Sequence, residues 1–176
     1  MRYISIILTL SLLLSSANSE DNQTTEKNIT APSFSLKTAN EKTLEVKEIE
    51  NGVLFEGSED KIVILSFIAY NGRPCLRAID TFKEMQKEYK DIDVVAIDVR
   101  GVDQKGLKEF AKNKEIKFPL VNYDNAKEFT NYIGQKAGWN GSLPFTLIMD
   151  KKGLVKYLQV GLIPLEGLKK IYQEIK

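Results

Sequence analysis

The sequence predicts an α/β domain built on one mixed central sheet with helices on both faces. Three observations carry that reading. Ile62 to Ile68 is a near-continuous apolar run rich in β-branched residues, which suits a strand buried on both faces. Pro74 to Tyr89 places Cys75, Leu76, Ile79, Phe82 and Met85 three and four apart, the spacing of an amphipathic helix. Phe145–Met149 and Leu154–Val160 are apolar runs separated only by Asp150-Lys151-Lys152-Gly153. So short a connection forces an antiparallel pair, which makes the sheet mixed.

The other elements follow along the chain. Thr43–Val46 and Val53–Phe55 are weak strands that read as an added N-terminal hairpin. Asp93–Val99 is a second buried strand. Leu107, Phe110 and Ala111 mark a short helix, and Ala126, Phe129 and Ile133 mark another behind the cap candidate Asp124. Leu165, Leu168, Ile171 and Ile175 close the chain with a helix. The predicted order is β-α-β-α-(α)-β-β-α, and no repeat is present.

Composition closes many routes. A chain of 176 residues suits one domain, and 43% hydrophobic with 28% charged residues is a globular balance. The absence of His removes Ser-His-Asp hydrolases, Cys-His proteases and the common zinc sites. A single Cys supports neither an intrachain disulfide nor a thiolate metal cage, and nothing calls for a cofactor. The formal charge of +1 includes Arg2, so beyond residue 19 the chain is neutral, with 24 basic and 24 acidic residues. Nucleic-acid binders need a basic surface, and this chain offers none by composition.

The N-terminus has the form of an export signal. Met1-Arg2 is followed by the Ile- and Leu-rich stretch Ile4–Leu14, then by Ser15-Ser16-Ala17-Asn18-Ser19. Cleavage is expected after Ser19, with Ala17 as the other position. The apolar run of about eleven residues is short against the ~20 needed to span a bilayer. No stable membrane anchor is therefore expected after cleavage, the alternative being an uncleaved N-terminal anchor. Residues 1–19 are read as signal, 20–30 as a disordered polar tail, and 31–176 as the folded domain. Asn22 and Asn28 each open an Asn-x-Thr sequon with an acid two residues upstream, at Glu20 and Glu26. The doubled acidic form resembles the extended acceptor of bacterial N-glycosylation in some epsilonproteobacteria. A third sequon, Asn140-Gly141-Ser142, lacks the acid and lies inside the domain.

Strand 62–68 runs through Ala69-Tyr70-Asn71-Gly72-Arg73-Pro74-Cys75 straight into a helix. This joint resembles the redox loop of exported TlpA-like thiol–disulfide oxidoreductases, members of the redoxin superfamily, where Phe-Trp-Ala-x-Trp-Cys-Pro-Pro-Cys stands. Phe67, Ala69, Pro74 and Cys75 match; Ile68, Asn71, Gly72 and Arg73 do not. Ala31-Pro32-Ser33-Phe34-Ser35-Leu36 is similar to the family's entry motif, and Ser142-Leu143-Pro144-Phe145 to its cis-proline strand. The resemblance covers about residues 31–176 and implies a thioredoxin-like fold in the periplasm.

The resemblance also implies roles. The family's first motif Cys attacks disulfides from an exposed helix N-terminus, where partial positive charge lowers its pKa; the second resolves the mixed disulfide. Gly72 stands at the attacking position and Cys75 at the resolving one, so an intrachain dithiol cycle is excluded. Cys75 is the one candidate for catalysis. On the same helical face as Ile79 and Phe82 it also reads as a small buried hydrophobe, while Arg73 and the helix dipole favour a thiolate. Peroxiredoxins share the fold, but their Pro and Thr/Ser are replaced by Ile68 and Gly72. The binding candidates are Tyr70, Gly72, Arg73 and Pro74 on the loop, and Leu143 with Pro144 opposite. The resemblance implies a cis Pro144, with the Leu143 backbone open to an extended peptide; a Pro at a strand start is otherwise ordinary. Three readings stand: a periplasmic thiol–disulfide oxidoreductase relative, a non-catalytic binding module for a cell-envelope protein or peptide, and a monothiol enzyme.

Two further patterns are weaker. Gly101-Val102-Asp103-Gln104-Lys105-Gly106 lacks the Lys-Ser/Thr of a phosphate loop and reads as a turn with a helix start. Glu48 and Glu50 are expected in a solvated stretch without a basic companion.

Overall fold

The computed structural model describes residues 31–176. The export signal, the tail, Asn22 and Asn28 lie outside the described residues. The described unit, Ala31–Lys176, holds two sheets. The first is three-stranded and antiparallel, β1 (Ser33–Lys37), β2 (Thr43–Ile49) and β3 (Gly52–Phe55). The second has the order β6-β5-β4-β7-β8, from β4 (Ile62–Ile68), β5 (Ile92–Asp98), β6 (Leu120–Asn122), β7 (Phe145–Met149) and β8 (Val155–Val160). β4, β5 and β6 run parallel to one another, and β7 runs antiparallel to both of its neighbours, β4 and β8.

The helices are α1 (Arg73–Glu88), α2 (Gln104–Asn113), α3 (Tyr123–Lys136) and α4 (Leu165–Ile175). Every residue of β4 is buried, and its alternation divides the interior. Ile62, Ile64 and Ile68 meet Cys75, Ile79, Phe82 and Met85 of α1, Leu107 of α2 and Leu168 of α4. Val63, Leu65 and Phe67 point the other way, toward Phe129 and Ile133 of α3 and Val46, Val53 and Phe55 of the small sheet. Period two in the strand and 3.6 in the helices thus give helices on both faces.

The small sheet crosses one face of the large one and is fastened at both margins. Past β1, Thr38 bridges Val121 of β6, and the Ala39 N–H donates to Leu120 O at 2.7 Å. At the other margin Gly52 bridges Leu154, with Val53 N–H on Gly153 O and Val155 N–H on Asn51 O, both 3.0 Å. A side chain at Gly52 would meet Gly153 O at 2.0 Å, so only glycine permits this approach.

Several sequence expectations need correction. The expected hairpin has a third strand, β1. β6 was absent from the predicted order. It has three residues, too few to show a period, and neighbouring strands hold it. α3 is capped by Asn122, whose Oδ1 accepts from Asn125 N at 3.2 Å, while Asp124 lies in the first turn. Leu76 is only half-buried, and Ala78 takes its place in the core. Glu48 has a basic companion: Lys136 Nζ lies 3.3 Å from its carboxyl. The Gly101–Gly106 stretch is a turn leading to a helix, with Asp103 Oδ1 capping Gly106 N at 2.7 Å.

Candidate functional site

The loop between β4 and α1 is wound tightly. Gly72 N–H donates to Ala69 O at 3.0 Å, and Gly72 O accepts from Leu76 N–H at 2.8 Å, beginning the helix. Gly72 is the N-cap without a side chain to cap with, Arg73 and Pro74 open the helix, and Cys75 is the third helical residue. Proline suits that first turn because the N–H it lacks would be unpaired there. Arg73 and Pro74 are exposed, and Tyr70 and Gly72 half-buried.

Cys75 is 1% exposed. Its sulfur accepts the Ala69 N–H at 3.3 Å. Burial pushes the thiol above its ordinary value; the Ala69 N–H and Arg100 pull it down, and the charge of Asp98 adds to the rise. The helix N-terminus and Arg73 do not prevail over this burial. In this setting the sulfur is a buried, protonated hydrophobe packed with Ile79 and Phe82.

β7 faces this loop. The antiparallel register sets Phe145 opposite Phe67, so Leu143 and Pro144 lie beside the end of β4, where the loop begins. The Leu143–Pro144 peptide bond is cis. Pro144 is buried and its carbonyl is taken by Gly161 N–H at 2.8 Å, while Leu143 is half-buried. All six loop and proline-strand candidates therefore gather at one end of the β4–β7 pair.

Two neighbours of this site were not singled out from the sequence. Asp98 is fully buried at the end of β5 and accepts from Tyr70 N at 2.8 Å, Val102 N at 3.1 Å and Arg100 N at 3.3 Å. It ties the β4–α1 loop to the β5–α2 turn, and its signal is an acid closing an apolar run. Trp139 packs on Phe67, with ring centroids 5.0 Å apart, and its Nε1–H donates to Ser142 O at 2.9 Å. That bond steadies the approach to Leu143; a lone Trp in a polar loop gives no periodic signal.

Comparison with known proteins agrees with this fold. The AhpC/TSA family matches residues 28–158. The chain is 29% identical over 135 residues to the thioredoxin-like protein YneN of Bacillus subtilis, covering 74% of this chain and 69% of that one. It is 29% identical over 118 residues to the thiol-disulfide oxidoreductase ResA of Geobacillus thermodenitrificans, covering 66% of this chain and 64% of ResA. A thiol:disulfide interchange protein of the thioredoxin family from Chlorobium tepidum superposes with a TM-score of 0.64 at 22% identity, over 83% of this chain and 94% of that one. StoA from Bacillus subtilis gives 0.58 at 17% identity, over 80% and 96%. At those identities the likeness is one of fold, and the fold is thioredoxin-like.

Proposed function

This chain belongs to the AhpC/TSA family, and from that premise we propose an exported, periplasmic thioredoxin-fold protein that holds an extended segment of a cell-envelope protein but lacks dithiol exchange. The carrying observation is Cys75: the sole cysteine, 1% exposed, with Gly72 at the attacking position. Dithiol exchange needs one thiolate to attack and a second to resolve, and one sulfur cannot do both within the chain. Peroxide reduction fares no better, because it also needs an accessible thiolate, and burial raises the Cys75 pKa.

The strand start at Leu143 and Pro144 is the part of the family's motif set that stands unchanged in this sequence. A peptide laid along it would pair with the Leu143 backbone in the manner of strand addition, with Tyr70 and Arg73 on the opposite lip. Export rests on the signal-like segment 1–19. Among the described residues no helix is long and apolar enough to cross a membrane.

Insulin reduction driven by dithiothreitol tests the chemistry, and the expected rate is background. Turnover at the level of an ordinary thioredoxin would overturn the reading. An NMR titration with an unfolded, cysteine-free peptide tests the groove. Shifts centred on Tyr70, Arg73 and Leu143 are expected, and shifts confined elsewhere would reject it.

A further inference from the structure

Asn-Gly is the dipeptide most open to spontaneous deamidation, because glycine puts no side chain between the Asn carboxamide and the next backbone nitrogen. The chain holds three such pairs, Asn51-Gly52, Asn71-Gly72 and Asn140-Gly141, and all three asparagines are exposed. Exposure therefore does not choose among them. In the reaction the Gly nitrogen gives up its proton and attacks the Asn Cγ, which expels ammonia and closes a succinimide ring. Water then opens the ring at either carbonyl, leaving aspartate or isoaspartate. The step needs a free Gly N–H, room for the ring, and a carboxamide already turned toward the following backbone.

Two of the pairs fail these conditions. Gly72 N–H is spent on Ala69 O at 3.0 Å. The space where its Cβ would stand is bounded by Ala69 Cβ at 3.3 Å and Cys75 Sγ at 3.4 Å. Gly52 stands opposite Ile49 in the β2–β3 ladder, and a Cβ there would lie 2.0 Å from Gly153 O. Asn51 O is in turn held by Val155 N–H at 3.0 Å.

Asn140-Gly141 meets all three conditions. Gly141 N–H has no hydrogen-bond partner among the described residues, and no atom lies within 4 Å of where its Cβ would stand. Asn140 Oδ1 accepts Ser142 N–H at 3.1 Å, an Asx turn that folds the carboxamide over the Gly141 nitrogen. The same bond sets a donor on the oxygen that gains negative charge as the nitrogen attacks. Trp139 braces this turn: its Nε1–H donates to Ser142 O at 2.9 Å, and its backbone N–H to Gly134 O at 2.8 Å.

We propose that Asn140 is a built-in deamidation site, at which the fold promotes conversion to aspartate and isoaspartate while it protects Asn51 and Asn71. The product carries a new carboxylate just upstream of Leu143. Isoaspartate also adds a methylene to the backbone inside the turn that Trp139 braces. The aged chain is thus a second form of the protein, more acidic and altered at the entrance to the proline strand. The assignment stands apart from the proposed function, because it needs neither Cys75 nor a bound peptide.

The test holds the purified protein at mildly alkaline pH for weeks and maps its peptides by mass spectrometry, with isoaspartyl methyltransferase labelling to count isoaspartate. Asn140 should convert about tenfold faster than Asn51 or Asn71, the rate equivalent of one amide hydrogen bond. In guanidinium chloride the three should react at similar rates, with Asn140 no faster than in the folded chain. Emission from Trp139, the sole Trp, should drift in step with the conversion. Asn140→Gln, whose longer side chain needs a larger ring, should show neither the drift nor the acidic species on ion exchange. Equal rates at the three sites in the folded protein, faster loss at Asn51 or Asn71, or a higher Asn140 rate in denaturant would each overturn the proposal. So would aspartate without isoaspartate, or Trp139 emission that ignores the conversion.

Discussion

Gly72 and Cys75 are placed as a disulfide would place them. A Cβ at residue 72 lies 3.4 Å from the Cys75 sulfur, and a disulfide sets each Cβ about 3 Å from its partner sulfur for an S–S bond of about 2.05 Å. Gly72 has φ −76° and ψ 121°, so a side chain there meets no left-handed strain. Its glycine is therefore a chemical absence rather than a backbone requirement.

Gly72→Cys should accordingly form a disulfide with Cys75 and gain exchange activity. Its thiol would stand at the cap of α1 beside Arg73, where the dipole favours thiolate. Thiol counting on the oxidised, folded variant should find none free, and insulin reduction should rise well above the native protein. Two persistently free thiols would refute the shared loop.

Cys75 in the native protein should resist thiol reagents until denaturant is added. Its folded pKa lies above the ordinary 9.0, so the unfolded chain releases that proton first. The stability Cys75 contributes is thus full below about pH 8.5–9 and is lost as pH rises through the folded value. Cys75→Ala should flatten this alkaline fall in urea melts, at a cavity cost of roughly 1–2 kcal/mol. An unchanged alkaline slope would contradict the assignment.

Asp98 should matter more for the loop than any exposed charge. Asp98→Ala strips the acceptors from Tyr70, Arg100 and Val102, and should cost about 3 kcal/mol in denaturant melts. Asp98→Asn should cost less and bring the Cys75 thiol down toward its ordinary value, because it removes a charge that raises it. Thiolate absorbance against pH reads the shift.

The α3 cap separates two neighbouring acceptors. Asn122→Ala should cost about 1 kcal/mol, whereas Asp124→Ala should cost a few tenths, since Asp124 only complements the dipole. Equal losses in thermal melts would return the cap to Asp124.

The parts legible in the sequence share one cause: they are long and periodic. β4 and α1 bury residues at their own repeat, so Ile62–Ile68 and the Cys75–Met85 stripe announce themselves. β6 has no such repeat; Leu120 and Val121 are held by β5 and by the chain past β1. The cap at α3 was misplaced by two residues because Asn122 belongs to both strand and cap. The loop candidates were readable because they are contiguous or proline-marked. Asp98 was not, because its partners Tyr70 and Val102 lie on either side of it, joined only by folding. The Glu48–Lys136 pair spans most of the domain and no local pattern foretells it.

The fastening of the small sheet at both margins of the large one has a consequence for solubility. Strand edges recruit strands from other chains, and open sheets aggregate through them. Here the β6 edge is met by Thr38 and the first part of the β8 edge by Gly52, so each margin is capped at one end by the chain's own backbone. What remains open on β8 carries a bulge and Lys156, both of which discourage a foreign strand, while exposed Leu158 and Val160 would welcome one. Gly52→Ala, which forces Gly52 and Gly153 apart, would therefore do more than loosen a turn. It would uncover an adhesive margin, and the variant should form thioflavin-positive assemblies at concentrations where the native chain stays dispersed.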